Sequence, residues 1–326
     1  MKEIKKIAVL TSGGDSPGMN AAIRAVVRTG INEGFEMAGS MRGYQGLING
    51  EIVPLHSRSV SNIIQRGGTI LKSARCKDFY EKEGRRKAYE KMQAIGIDAL
   101  VVIGGDGTFT GARIFSKEFG VPVVGLPGTI DNDLYGTDFT IGYDTALNTV
   151  IEAVDKLRDT AYSHDRLFIT EVMGRDAGFI ALRSGIATGA EMILIPESPT
   201  YIDELLYMLE KDWKKSKTSG IIIVAEGDDS GGALEVEKEI NKKFPGFETR
   251  VTILGHIQRG GAPSAMDRVL ASRLGNAAIL TLKDGVSGVM IGQVDNEIKL
   301  TSFEKSIKHH QEINLELLDI ARTLAI

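Results

Sequence analysis

Seven short β-branched runs, at residues 7–10, 99–103, 121–126, 167–172, 192–195, 221–225 and 249–254, are each followed by a polar or glycine-rich turn. Runs of this length, rich in Val and Ile, read as buried strands. Helical patterns lie among them at 20–30, 144–160, 202–215 and 267–282. Strand and helix in alternation predict an α/β class, with parallel-rich sheets flanked by helices. Most of the 38 glycines follow strands, where backbone must turn tightly or approach a ligand.

At 326 residues and 42% hydrophobic content the chain can bury a substantial core, as one large or two medium domains. Neither a Pro- or Ser-rich linker nor a repeat of fixed period divides it. Two lobes are therefore expected from the strand groups, one around the N-terminal strands and one around the strands between 167 and 254, with ligands at the C-terminal strand edges facing a cleft. A net charge of -4 offers no global attraction to nucleic acid or to an anionic membrane, so any cationic site must be local. The single cysteine, Cys76, excludes an internal disulfide framework, fits a reducing compartment and is read as packing. The apolar stretch 7–10 is too short for a signal peptide, and no run approaches the roughly 20 residues a bilayer needs. A cytoplasmic location is expected.

Two aspartates carry the chemical argument. Asp106 stands in Gly104-Gly105-Asp106-Gly107-Thr108 after the run 99–103, and Asp131 stands in Pro127-Gly128-Thr129-Ile130-Asp131-Asn132-Asp133 after the run 121–126. The stretch between them has room for a helix at 111–119, so the two strands should run parallel and end at one sheet edge. A glycine-flanked carboxylate beside a carboxylate-rich turn suits phosphoryl transfer, one acid holding Mg2+ and the other receiving a hydroxyl proton. Either aspartate taken alone reads equally as a turn-capping residue. In the second turn Asp131 is the expected base for the acceptor hydroxyl, Thr129 a phosphate or substrate contact, and Asp133 a charge-tuning group.

Thr11-Ser12-Gly13-Gly14-Asp15-Ser16-Pro17-Gly18 joins a strand to a helix, so its small residues can bring backbone N–H groups to an anion. It fits neither the dinucleotide glycine fingerprint nor a Walker loop, and a purely structural turn is the competing reading. Arg75, Arg166, Arg175, Arg250 and Arg259 fall at strand ends or nearby loops, with His256 near the last. Arginine offers paired donors to phosphate, and glycines beside Arg175 and Arg259 leave space for a ligand. For Arg75 and Arg166 the solvated-face reading competes. Glu226, closing the run 221–225, is positioned to accept sugar hydroxyls or to cap a turn. Arg24 and Arg28, one helical turn apart, suggest a second anion site or a solvated helix face.

Together Ser12-Gly13-Gly14-Asp15, Gly104-Gly105-Asp106-Gly107, the Pro127 to Asp133 turn, Val172-Met173-Gly174-Arg175 and Gly255-His256-Ile257-Gln258-Arg259-Gly260-Gly261 resemble the bacterial ATP-dependent 6-phosphofructokinases, in order along essentially the whole chain. The resemblance implies a phosphofructokinase-like fold of two lobes, residues 1–142 with 258–308 binding ATP and residues 143–257 with 309–326 binding the sugar phosphate, the active site lying in the cleft between them. It implies transfer of the ATP γ-phosphate to the 1-hydroxyl of fructose 6-phosphate in glycolysis, with Mg2+ required. Gly14, Arg75, Cys76, Gly105, Asp106, Gly107 and Thr108 would bind ATP, Asp106 would hold the metal, and Asp131 would accept the proton, helped by Thr129 and Arg175. Thr129, Ile130, Asp131, Met173, Gly174, Arg175, Glu226, His256, Ile257, Gln258 and Arg259 would bind the sugar phosphate, with Arg166 and Arg250 reaching in from an adjacent subunit of a homotetramer.

Gly107 and Gly128 stand where pyrophosphate-dependent relatives usually carry aspartate and lysine, which favours ATP as donor by leaving room for a nucleotide. Tyr80 stands where bacterial relatives commonly place a basic residue near the nucleotide. At the effector position, for ADP or phosphoenolpyruvate, Arg24, Arg28, Arg158, Gly189, Glu191, Lys215 and Lys217 match, whereas Ser57, Asn62 and Ser219 replace arginine, aspartate and histidine. Weakened or altered effector control is therefore expected. Two rival readings remain: a Gly-Gly-Asp-Gly kinase with a dinucleotide or lipid acceptor, and a catalytically silent sugar-phosphate sensor.

Overall fold

The computed structural model describes residues 3–200, 203, 206, 207, 209, 210, 219–245 and 248–324. Most of the helix expected at 202–215 lies outside them. Along the chain the strands are β1 (Lys6–Thr11), β2 (Glu36–Ser40), β3 (Ile52–Leu55), β4 (Ala99–Gly104), β5 (Val123–Pro127), β6 (Leu167–Val172), β7 (Met192–Leu194), β8 (Gly220–Ala225), β9 (Thr249–Ile253), β10 (Val289–Val294) and β11 (Glu297–Ser302). The helices are α1 (Met19–Asn32), α2 (Tyr44–Asn49), α3 (Lys82–Ala94), α4 (Asp106–Phe119), α5 (Tyr143–His164), α6 (Phe179–Thr188), α7 (Ala233–Lys243), α8 (Ala265–Lys283), α9 (Phe303–Lys308) and α10 (Glu316–Leu324). Among the described residues no helix is long and apolar enough to cross a membrane.

Contacts divide the chain into two units, one of Met1–Ile130, Leu134–Thr145 and Arg259–Gln311, the other of Asp131–Asp133, Ala146–Gln258 and Glu312–Ile326. The first unit holds a seven-stranded sheet in the order β11-β10-β5-β4-β1-β2-β3, parallel except for its two outer strands. Strands β4 and β5 run parallel, Gly104 opposite Pro127, and β1 lies beside β4 with Thr11 opposite Ile103. Their C-terminal ends therefore meet one edge. The chain leaves β1 toward β2 on one side and returns to β4 on the other, which makes this edge a topological switch point.

Each central strand buries both faces. Ile7, Val9, Val101 and Ile103 pack with Ile23, Val26, Leu274 and Ala278 of α1 and α8, whereas Ala8, Leu10, Leu100 and Val102 face Leu47, Met92, Phe109 and Phe115. Helix α4 begins at Asp106, five residues before the expected start at 111, because Gly105 takes the extended N-cap conformation and the helix follows at once. Asp106 is thus the first residue of a helix.

The second unit holds four parallel strands in the order β7-β8-β6-β9. Leu167, Ile169, Ile222 and Val224 bury against Val236 and Ile240 of α7. The C-terminal ends of β6 and β8, aligned through Val172 and Ala225, release the Met173-Gly174-Arg175 and Glu226 segments side by side.

Helices α1 and α8 approach closely at Gly275, where an added Cβ would lie 2.7 Å from Ala25 Cβ and 3.0 Å from the Ala22 carbonyl oxygen. Gly275→Ala is expected to cost about 1–3 kcal/mol by overpacking, read as a lower thermal midpoint. An unchanged midpoint would show that the two helices separate freely.

Candidate active site

The loop after β1 is strapped to the end of β4. Ser12 N–H donates to the Ile103 carbonyl at 3.0 Å, the Thr108 hydroxyl donates to the Ser12 carbonyl at 3.1 Å, and Ser73 Oγ donates to the Gly13 carbonyl at 2.6 Å. Gly104 must lack a side chain there, since a Cβ would fall 2.5 Å from the Ser12 oxygen and 2.4 Å from Thr108 Oγ1. Gly13 and Gly14 are exposed, which leaves their backbone open to solvent and to a ligand. The Arg259 guanidinium lies over Gly14, Nη1 standing 2.7 Å from where a Cβ would be, and donates to the Asp15 carbonyl at 3.3 Å.

Half-buried Asp106 opens α4, where the helix dipole favours an anion. A Cβ at Gly107 would meet nothing within 4 Å. Tyr44 Oη supports the turn by donating to the Thr108 carbonyl at 2.7 Å, and its ring stacks on Phe79 at 4.0 Å. Arg75 is exposed, and Tyr80, 78% exposed, points to solvent. Half-buried Cys76 donates to Gln45 Oε1 at 3.3 Å, and burial raises its thiol pKa, which keeps it protonated.

Thr129 is buried beside Gly105, 3.9 Å separating its Cβ from the position a Gly105 Cβ would take, and its carbonyl accepts from the Thr140 hydroxyl at 2.7 Å. Ile130 is fully buried. Gly128 is also constrained by the core. A side chain there would sit 2.8 Å from Ile103 Cγ2 and 3.1 Å from Met19 Cε, so core packing is what excludes one.

In the second unit Asp131 is 1% exposed, and its Oδ2 lies 3.3 Å from Nε of the half-exposed Arg175. Arg175 occupies the left-handed region at φ 54°, after Gly174 at φ 150°. The Gly174 and Arg175 N–H groups both donate to Glu226 Oε1, at 3.2 and 2.8 Å. Gln258, wholly buried, accepts from Met173 N–H at 3.2 Å and donates to the Gly255 carbonyl at 3.0 Å. His256 and Ile257 are exposed in the same short turn. Thus Asp131, Met173, Gly174, Arg175, Glu226 and Gln258 come together.

Arg166 and Arg250 do not join them. Arg166 precedes β6 and Arg250 is the second residue of β9, so both lie at the N-terminal edge of the sheet, about 17–20 Å of strand from the other. Glu248 binds both, accepting from Arg166 Nε at 2.9 Å and from Arg250 Nη2 at 2.5 Å, and these contacts lower its pKa.

Of the residues expected to bind an effector, Arg24 and Arg28 share α1 in the first unit, where burial and then the Arg28 charge lower the Arg24 pKa. Arg158 in the second unit donates to the Thr188 and Gly189 carbonyls at 2.7 and 3.0 Å and lies 3.7 Å from Glu191. Lys215 and Lys217 lie outside the described residues. Sequence reading does not single out Tyr44, Ser73 or Thr140, whose hydroxyls brace the loops through contacts 11 to 64 positions away.

Glu226→Ala removes one acceptor serving two N–H groups in a positive-φ turn. The Gly174 and Arg175 amides should then exchange with solvent about tenfold faster or more, as expected when about 1–2 kcal/mol of local hydrogen bonding is lost. Unchanged exchange would show that the turn holds itself.

A family model described as Phosphofructokinase matches residues 6–282. The chain is 56% identical to ATP-dependent 6-phosphofructokinase 2 of Bacteroides thetaiotaomicron over 326 residues, 100% of both chains, and 56% identical to ATP-dependent 6-phosphofructokinase 1 of Thermus thermophilus over 99% of this chain and 100% of that one. Among solved structures it superposes on the Pichia pastoris phosphofructokinase in the T-state with a TM-score of 0.88 at 40% identity, covering 99% of this chain and 37% of that longer one. A pyrophosphate-dependent phosphofructokinase from Marinobacter aquaeolei shares the fold, with a TM-score of 0.83 at 21% identity over 96% of this chain and 86% of that one. The protein belongs to the phosphofructokinase family.

Proposed function

We propose that the protein transfers the γ-phosphate of ATP to the 1-hydroxyl of fructose 6-phosphate, giving fructose 1,6-bisphosphate and ADP in glycolysis. The observation that carries this reading is the buried Asp131 carboxylate held 3.3 Å from the half-exposed Arg175 guanidinium. A base that must take a hydroxyl proton and a cation that must meet a phosphoryl group belong next to each other. The end-to-end identity to proteins named ATP-dependent 6-phosphofructokinases supports the same substrates.

The lobe of residues 1–142 and 258–308 takes ATP, and that of 143–257 and 309–326 takes the sugar phosphate. Gly14, Arg75, Cys76, Gly105, Gly107 and Thr108 receive the nucleotide, the glycines by leaving backbone N–H groups accessible. Asp106 suits Mg2+ carried on a polyphosphate, which takes one or two carboxylates and fills its remaining positions with phosphate oxygens and water. The bare space at Gly107 beside this half-buried carboxylate fits that arrangement. When bound, the ion would offset negative charge on the β- and γ-phosphates.

Asp131 orients the 1-hydroxyl and accepts its proton, while Arg175 and Thr129 meet the oxygens of the phosphoryl group in transfer. Glu226 holds the Arg175 turn as well as meeting the sugar. Gln258 acts through the Met173 backbone. His256, Ile257 and Arg259 complete the sugar-phosphate contacts, and Arg166 and Arg250 serve the site of an adjacent subunit in a homotetramer. Their place at the opposite sheet edge from Glu226 accords with that division. ADP or phosphoenolpyruvate would meet Arg24, Arg28, Arg158, Gly189, Glu191, Lys215 and Lys217, with a response weakened by Ser57, Asn62 and Ser219.

Asp131→Asn is expected to lower kcat by about 10²–10⁴ with KM values changed by less than about threefold, measured by coupled ADP release. Near-normal turnover would remove Asp131 from the base role. The wild-type chain should use ATP, require Mg2+ and fail with pyrophosphate as donor. Fructose 6-phosphate saturation curves should shift only slightly with ADP or phosphoenolpyruvate, and large shifts with both would overturn the weakened-effector reading.

A further inference from the structure

Asp267, in the first turn of α8, is 1% exposed although nothing in the reaction just described uses it. Its Oδ1 accepts from Gly142 N–H at 2.8 Å, and its Oδ2 accepts from Thr145 N–H at 2.8 Å and from the Thr145 hydroxyl at 2.5 Å. The Thr145 oxygen also accepts from Ser264 N–H at 2.9 Å, which ties the contact to the start of α8. Ser264 Oγ in turn donates to Asp144 Oδ2 at 2.5 Å and accepts from Asp267 N–H at 3.2 Å. The N-termini of α5 and α8 therefore cap each other, with the Asp267 carboxylate accepting from two backbone N–H groups and one hydroxyl. The ionised carboxylate accepts from all three donors at once, whereas the protonated form gives up the Thr145 hydroxyl as a donor by turning its own hydrogen toward that oxygen.

The segment Asp267 holds leads directly to the catalytic loops. Thr140 donates to the Thr129 carbonyl at 2.7 Å, Ile141 N–H donates to the Pro127 carbonyl at 2.8 Å, and the Ile141 carbonyl accepts from Ser16 Oγ at 2.8 Å. Gly142, at φ 108°, runs so close under the first glycine loop that a Cβ would stand 2.5 Å from Ser16 Cβ. A second close approach comes at Gly18, where a Cβ would stand 2.7 Å from Ile141 Cγ2. The Thr129 turn and the Ser12 to Gly18 loop thus rest on one strip of backbone whose next anchor is Asp267.

We propose that Asp267 is a positioning residue for phosphoryl transfer, its ionised carboxylate clamping Gly142 and Thr145 and thereby setting the height of the Thr129 turn and the first glycine loop. The role rests on the kinase reading above. Burial raises the Asp267 pKa to about 6, against the lowering effect of its Thr145 and Gly142 bonds, and the Asp144 charge raises it further. Asp144 is the titratable group facing it from α5; on its own helix Arg268 directs Nε to the Pro263 carbonyl at 2.7 Å, and α1 presents Gly18. Folding favours the protonated form, so acidification through about 6 stabilises the fold relative to the unfolded chain while releasing the clamp. Stability and activity move in opposite directions.

The test uses the full chain with ATP, Mg2+ and fructose 6-phosphate. A wild-type protein without turnover overturns the kinase reading itself, before any variant is compared. With activity present, Asp267→Asn is expected to lower kcat at least about tenfold while each KM stays within about threefold, because one backbone N–H must face the amide group. Its thermal midpoint near neutral pH should fall little, and the acid limb of wild-type kcat near pH 6 should be missing. From pH 7 toward 5 the wild type should gain midpoint relative to the variant as it loses turnover. If Asp267→Asn does not fold, Thr145→Val removes one donor and should move the acid limb upward, and Thr145→Ser should restore it. A kcat within twofold of wild type in Asp267→Asn, or an acid limb unmoved in Thr145→Val, overturns the proposal.

Discussion

The register that sets Thr11 opposite Ile103 and Gly104 opposite Pro127 brings three loops to one sheet edge at one height, and the space above that edge is then shared among them. The sharing explains the local chemistry. Ser12 donates to the end of β4, Thr108 reaches back to Ser12, and Thr129 lies against Gly105. A one-residue slip in β4 would turn its side chains to the opposite face and remove the Gly104 position that lets Ser12 approach. Continuous burial of both faces of β1 and β4 makes such a slip costly, which is how an apolar core fixes the geometry of polar loops.

Around that frame the chain buries charge where it needs direction. For Asp267 the movement from 3.8 to about 6 corresponds to about 3 kcal/mol lost from folding stability at neutral pH, a cost present above the folded pKa and relieved as pH falls toward the unfolded one. Three donors limit the penalty without cancelling it. The Arg85–Glu118 pair does the opposite: at the partly covered edge of α3 and α4 two short bonds, 2.6 and 2.8 Å, raise the arginine pKa and lower that of the glutamate, so the charged pair is favoured. A carboxylate that folding would rather protonate, set beneath loops that need fixed acceptors, is the pattern of a group retained for geometry and not for stability.

How much of this was legible in the residues depends on how locally each feature is encoded. Strand β6 is read at its observed bounds and β1, β4, β5 and β8 within one or two residues, because buried parallel strands are largely apolar, and edge strand β9 is read within one residue from its β-branched residues. Strands β2, β3, β10 and β11 escape. The Glu36–Ser40 strand has glycine at its fourth position because Leu71 and Leu55 occupy the space, with a Cβ at Gly39 falling 2.6 and 2.9 Å from their side chains. Pro54 sits in edge strand β3, and β11 is largely exposed, so neither has a buried-strand signature. Candidate ligand-facing residues stand out because charges and glycines at strand ends are locally odd. Their supports, Tyr44, Ser73, Thr140 and Asp267, are ordinary residues whose partners are distant in sequence and become visible only through the fold.

A pyrophosphate-dependent relative at 21% identity keeps the same fold with a TM-score of 0.83, so the architecture does not choose the phosphoryl donor. Of the two glycines expected to favour ATP as donor, Gly107 borders open space, where an added Cβ would meet no protein atom within 4 Å. Gly128 is different in kind. A side chain there meets Ile103 and Met19 before it reaches any ligand, so the backbone after β5 must first move. That strip also carries Thr129 and rests on Ile141. Exchanging Gly107 therefore adds bulk and charge in open space, whereas exchanging Gly128 shifts the backbone that carries Thr129, and the two substitutions should not be interchangeable even though both are changes from glycine.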